Sequence, residues 1–131
     1  MKEIKNSYDA VDKFPQELRT NTHEECWVML LNEDNEQISN MMVKRGDNDS
    51  VELDCRSIVK SALDCDAYGV ILCHNHPRGI PFPSTCDIKL TEKLRDGCKL
   101  FDISLLDHII ISKNGFYSFN DEVAHKYKKV V

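Results

Sequence analysis

Residues 69–73 form an unbroken apolar run that ends on His74, Asn75, His76 and Pro77. Side chains alternate along an extended chain, so His74 and His76 project from one face. Ten residues, 77–86, separate His76 from Asp87. They include Pro77, Gly79, Pro81 and Pro83, which favours a rigid loop over a strand or a helix. Ser84 then reads as a helix N-cap, with Asp87 in the first turn. A fold for this chain therefore has to bring the end of a strand and the start of a helix together. Two neutral imidazoles and one carboxylate are a three-ligand zinc set that leaves the fourth tetrahedral position for water. These residues point to a metal-dependent hydrolase, with His74, His76 and Asp87 as ligands and Zn2+ as cofactor.

The elements around this centre follow from periodicity and turn chemistry. A short helix is expected after Ser7, with a break at Pro15. Residues 26–31 and 37–43 read as a strand pair joined by the turn residues 32–35. Residues 45–49 read as a loop. Ile58, Val59, Ala62 and Leu63 have helical spacing, in a helix beginning near Asp54. A longer helix is expected from Ser84 to about Leu100, packing through Ile88, Leu90, Leu94 and Cys98. Strands over 105–111 and 116–119 close the chain as a hairpin across residues 113–115. The order β-β-α-β-α-β-β predicts an α/β domain with a mixed β-sheet flanked by helices. Its boundaries are set at an N-terminal extension 1–22, a metal-site domain 23–121 and a basic C-terminal tail 122–131.

Bulk properties narrow the setting. The chain has 131 residues and a net charge of -5, from 17 Lys and Arg against 22 Asp and Glu. That balance gives no general attraction to nucleic acid, although Lys126, Lys128 and Lys129 cluster near the C-terminus. No apolar run reaches the ~20 residues of a membrane span, and no apolar h-region marks a signal peptide. The six cysteines form no Cys-x-x-Cys pair, which suits free thiols in a reducing cytoplasm. Cys26 and Cys73 are expected to be buried, and Cys86 is an alternative fourth metal ligand. Asp107 and His108 read as a buried pair that is either structural or a support for the metal ligands, His23 and His125 as surface residues, and Trp27 as core. Asn75 points away from the histidines and fixes the local backbone.

Glutamates upstream, then His74-x-His76, ten residues and Asp87, with Ser84 three before the Asp, resemble the JAMM (MPN+) zinc metalloprotease signature. Three runs resemble the RadC branch, labelled a DNA repair protein. They are His74-Asn75-His76-Pro77-Arg78-Gly79, Pro83-Ser84-Thr85-Cys86-Asp87, and Leu105-Leu106-Asp107-His108-Ile109-Ile110-Ile111. The resemblance covers about residues 20–120. It implies a cytidine-deaminase-like architecture and cleavage of a peptide or isopeptide bond in a protein substrate. It places a catalytic glutamate just before the strand at 26–31, which makes Glu24 the candidate and Glu25 its competitor. It gives Ser84 a hydrogen bond to the oxyanion, beside its role as N-cap. Two departures stand out: Arg78 replaces a usual Ser, and Cys55-Arg56-Ser57 replaces Pro-Arg-Glu. Family members carry an N-terminal helix-hairpin-helix segment, and only about twenty residues precede the domain here. The alternative to a peptidase is therefore a DNA-repair or mobile-element accessory protein that acts near DNA through a partner. A deaminase is excluded, because His76 stands where those enzymes place Glu and no Pro-Cys-x-x-Cys is present.

Overall fold

The computed structural model describes residues 3–46 and 53–128. Its elements in chain order are α1 (Ser7–Lys13), a 3-10 turn (Gln16–Arg19), β1 (Glu24–Leu31), β2 (Gln37–Gly46), α2 (Cys55–Asp64), β3 (Gly69–Asn75), α3 (Thr85–Lys99), β4 (Ser104–Ile111), β5 (Gly115–Ser118) and β6 (Val123–Lys126). Among the described residues the six strands form one sheet in the order β2-β1-β3-β4-β5-β6. Only β3 and β4 run parallel, and the other neighbouring pairs are antiparallel. This is the α/β architecture with a mixed, helix-flanked sheet that the sequence predicts.

Strand alternation divides the apolar residues between two layers. Cys26, Val28 and Leu30 of β1 and Val70 and Leu72 of β3 face α2 and α3, where they meet Ile58, Ala62, Leu94 and Cys98. Met29, Leu31, Ile71, Cys73, Ile109 and Ile111 face the other way, onto Ala10, Val11, Phe14 and Leu18. Strand β3 lies inside both layers and is buried at every position, which explains its unbroken apolar composition. The helix starts use side-chain caps: Asn6 accepts from the Asp9 N–H, Asp54 from the Ser57 N–H and Ser84 from the Asp87 N–H.

Several expectations are corrected. The segment set apart as an N-terminal extension supplies one wall of the second core layer through Ile4, Ala10, Val11, Phe14 and Leu18. Part of the segment read as a basic tail forms β6 on the sheet edge. Ser7 and Asp121 tie these two ends together at 2.6 Å, and the same carboxylate meets His125 Nε2 at 2.9 Å. His125 is thus held by Asp121, Tyr8 and Phe116 and is no free surface residue. Arg45 and Gly46 belong to β2; the rest of the expected loop at 45–49 lies outside the described residues. On α3, Ile88 is exposed, and the inward row is Asp87, Thr91, Leu94 and Cys98. This i, i+4, i+7, i+11 row begins with two polar residues because Asp87 faces His74 and His76 and Thr91 faces His108. No helix among the described residues is long and apolar enough to cross a membrane.

Leu94 is fully buried between α3 and the sheet. Leu94→Ala is expected to cost about 2–5 kcal/mol through lost transfer energy and the cavity left behind. Urea denaturation of the two proteins measures the difference.

Candidate metal centre

The C-terminal end of β3 and the N-terminal end of α3 meet as the sequence requires. His74 is the penultimate residue of β3 and is 2% exposed. His76 follows the strand, anchored by its N–H to the Ile111 carbonyl at 2.8 Å. The loop turns back through a bond from the Gly79 N–H to the His76 carbonyl at 3.2 Å. At position 79 a Cβ would meet His76 Cβ at 3.4 Å, an ordinary van der Waals contact, so the turn lies against the imidazole. Ser84 and Asp87 then form a capping box. The Ser84 Oγ accepts from the Asp87 N–H at 3.2 Å, and the Asp87 Oδ2 accepts from the Ser84 N–H at 2.8 Å.

Three donor atoms converge here. His74 Nε2 lies 3.1 Å from Asp87 Oδ1, His76 Nε2 lies 3.2 Å from Asp87 Oδ2, and the two Nε2 atoms are 2.9 Å apart. The opposite nitrogen of His76, Nδ1, lies 3.3 Å from the Ile80 carbonyl. A carbonyl only accepts, so His76 Nδ1 carries a hydrogen, and in the neutral ring Nε2 turns a lone pair toward the carboxylate. Lone pairs on Nε2 and on both carboxylate oxygens repel unless a cation lies between them. The residues present therefore fit a metal ion, and His74, His76 and Asp87 can hold one.

The electrostatics agree. Burial alone would push the Asp87 carboxyl up, but the adjoining His74 and His76 imidazoles and the Ser84 N–H hold it well below the usual carboxylate range. Burial pulls the His76 imidazole down, yet the Asp87 carboxylate and the Ile80 carbonyl outweigh it and raise it above its ordinary value. The gap between these groups draws in positive charge.

An open cleft of about 430 Å³ lies over the centre, lined by Glu24, His76, Pro77, Arg78, Gly79, Ser84 and Asp87. Sheet register separates the two glutamates. Cys26 pairs with His74, so continuing that antiparallel register sets Glu24 opposite His76, on the face shared by Cys26 and His74. Glu25 is on the other face, where its carboxylate takes the Trp27 Nε1–H at 2.9 Å and the Asn21 Nδ2–H at 3.1 Å and also meets His23. His23 thus has a partner, contrary to the surface reading, and Trp27 is half-buried against the second core layer. Asn75 is fully buried and grips the chain on either side of Glu24. Its Oδ1 accepts from the Glu25 N–H at 2.7 Å, and its Nδ2 donates to the His23 carbonyl at 3.0 Å.

A family model described as RadC-like JAB domain matches residues 4–125. The chain belongs to the RadC-like JAB domain family. It is similar to a UPF0758 protein of Flavobacterium johnsoniae, 38% identical over 122 residues that make up 93% of this chain and 53% of the relative. A UPF0758 protein of Actinobacillus pleuropneumoniae is 37% identical over 119 residues, 91% of this chain and 54% of the relative. One from Haemophilus ducreyi is 32% identical over 123 residues, 94% of this chain and 55% of the relative. The chain spans about half the length of the curated relatives it matches.

Other candidates in this RadC-like JAB domain fall outside the cluster. Cys86 is exposed on α3 and does not join the donor group found among the described residues. Cys26 is buried beside the site, and desolvation pushes its thiol far up, which keeps it protonated. Asp107 and His108 are both buried, as the sequence reading has it, and the His108 N–H donates to Asp107 Oδ1 at 2.8 Å, but their side chains do separate jobs. Asp107 Oδ2 accepts from Ser118 Oγ at 2.6 Å and Oδ1 from the Asn120 N–H at 3.0 Å, which organises the turn between β5 and β6. The His108 ring contacts His74. Thr91, which also contacts His108, carries no motif of its own. The available signal was its position one helical turn after Asp87.

Asn75→Ala removes both bonds around Glu24 and strands two backbone groups. It is expected to destabilise the fold by about 1–3 kcal/mol, measurable by equilibrium unfolding.

Proposed function

We propose that this domain is a zinc-dependent hydrolase that cleaves peptide or isopeptide bonds with a metal-activated water. The observation that carries the reading is the convergence of His74 Nε2, His76 Nε2 and the Asp87 carboxylate under a cleft whose lining includes Glu24 and Ser84. A nitrogen- and oxygen-donor set with three protein ligands suits catalytic zinc. Bound there, zinc would supply a Lewis acid and a water whose pKa falls to about 7.

The chain's own residues account for the rest. Glu24 stands on the ligand side of the sheet and takes the attacking water's proton as the new C–O bond forms. It returns that proton to the nitrogen as the C–N bond breaks. Ser84 Oγ uses a lone pair to cap α3, which leaves its own hydrogen free to donate to the substrate's carbonyl oxygen as negative charge builds there. His74, His76 and Asp87 hold the ion, and the loop from Pro77 to Gly79 shapes the wall of the cleft. A polypeptide substrate fits an open cleft of this kind better than nucleic acid fits a chain of net charge -5.

Protein purified without chelator is expected to contain about one zinc per chain by metal analysis, and His76→Ala is expected to lose most of it. A zinc-free wild type that resists reconstitution would sink the reading. Glu24→Gln should retain zinc while peptide or isopeptide hydrolysis falls by about 10²–10⁴-fold. A zinc-loaded protein on which Glu24→Gln has no effect in a peptidase screen would favour an accessory role instead.

A further inference from the structure

Beneath the metal ligands lies a buried chain of polar contacts that the proposed reaction does not use. Thr91 Oγ1 is 2.7 Å from the backbone carbonyl of Asp87. It is also 2.6 Å from His108 Nδ1. His108 Nε2 is in turn 2.7 Å from His74 Nδ1. His108 is completely buried, and Phe119 stacks flat on its ring at 4.7 Å with an interplanar angle of 4°.

We propose that Thr91 and His108 are positioning residues that set the tautomer of His74, so that its Nε2 lone pair is turned toward the metal. The inference rests on the reading of His74 as a metal ligand. Donors and acceptors fix the direction of each bond. The Asp87 carbonyl only accepts, so the single Thr91 hydroxyl hydrogen goes to it. Thr91 Oγ1 is then an acceptor for His108, whose hydrogen must sit on Nδ1. Neither ring nitrogen of His108 meets a carboxylate among the described contacts, and a charged imidazolium without one is strongly disfavoured in a dry interior. A neutral ring protonated on Nδ1 presents a lone pair at Nε2. His74 Nδ1 must therefore donate to it, which leaves the lone pair of His74 on Nε2. That atom is the one 3.1 Å from Asp87 Oδ1.

The relay starts and ends on one residue. Asp87 supplies its backbone carbonyl to Thr91 and its carboxylate to the metal group, one turn of α3 apart. The first turn of the helix thereby sets both a ligand and the protonation pattern of the ligand opposite.

The test uses the whole chain labelled with 15N. Long-range 1H–15N NMR on metal-free protein assigns the tautomers, and competition with a chromophoric chelator gives the zinc affinity. Wild type is expected to show both His108 and His74 protonated on Nδ1. Thr91→Val keeps the volume but offers no acceptor, so both histidines are expected to switch to the Nε2–H form. Zinc affinity should then fall by about 10-fold or more, and Thr91→Ser should restore both readouts. Thr91→Ala carries the same expectation should the valine variant not fold. Wild-type His108 protonated on Nε2 would overturn the proposal, as would a Thr91→Val protein that keeps either the wild-type tautomers or the wild-type zinc affinity. A wild-type protein that shows these tautomers and switches them in Thr91→Val, yet takes up no zinc, would support the relay and sink the metal reading alone.

Discussion

The Asp87 carboxylate is the joint on which the rest depends. One oxygen closes the capping box with the Ser84 N–H at 2.8 Å and also faces His76, while the other faces His74. A carboxylate at the start of a helix is favoured by the exposed N–H groups and by the helix dipole. Here the same charge is also the natural complement to a cation held by two imidazoles. The bond that starts α3 and the contacts that assemble the metal group thus stabilise one geometry. The loop between them needs only to return the chain, and its prolines do so with little conformational freedom to lose.

The sheet supplies the other half of the site through alternation. His74 and Cys26 are neighbours across β1 and β3, and Glu24 lies one step beyond on the same face. Asn75, between the two histidines, must point away from them. The structure uses that reversal to clamp the backbone on both sides of Glu24. A single stretch, His74 to His76, therefore holds two candidate ligands on one face and the support for the candidate base on the other. Strand β3 tolerates this because it is buried on both faces, where each polar group has to find a partner.

Much of this was legible beforehand. The alternating histidines, the proline-rich return and the Ser84 cap have local physical meanings, and they predicted the strand end, the helix start and the donor set. The apolar run at 69–73 and the helix spacing at 58–63 were equally local signals. What was missed is non-local. The first helix carries only seven residues, so its role as a wall of the core depends on meeting β1, β3 and β4. Strand β6 is only four residues long and exists by pairing with β5, with Ser7 and Tyr8 behind it. Thr91 gains meaning only where α3 crosses His108.

Sequence by itself determined which atoms are available at the centre: His74, His76, Asp87 and Ser84, at spacings that period-two strands and helix caps translate directly into direction. Tertiary structure alone decided which glutamate shares their face, because Glu24 and Glu25 are chemically equal and differ only in strand phase relative to β3. It also separated Asp107 from His108, adjacent residues that alternation sends to opposite sides of β4. Composition and spacing act along the chain, whereas these choices depend on register between strands distant in sequence, which is set only when both layers of the core pack together.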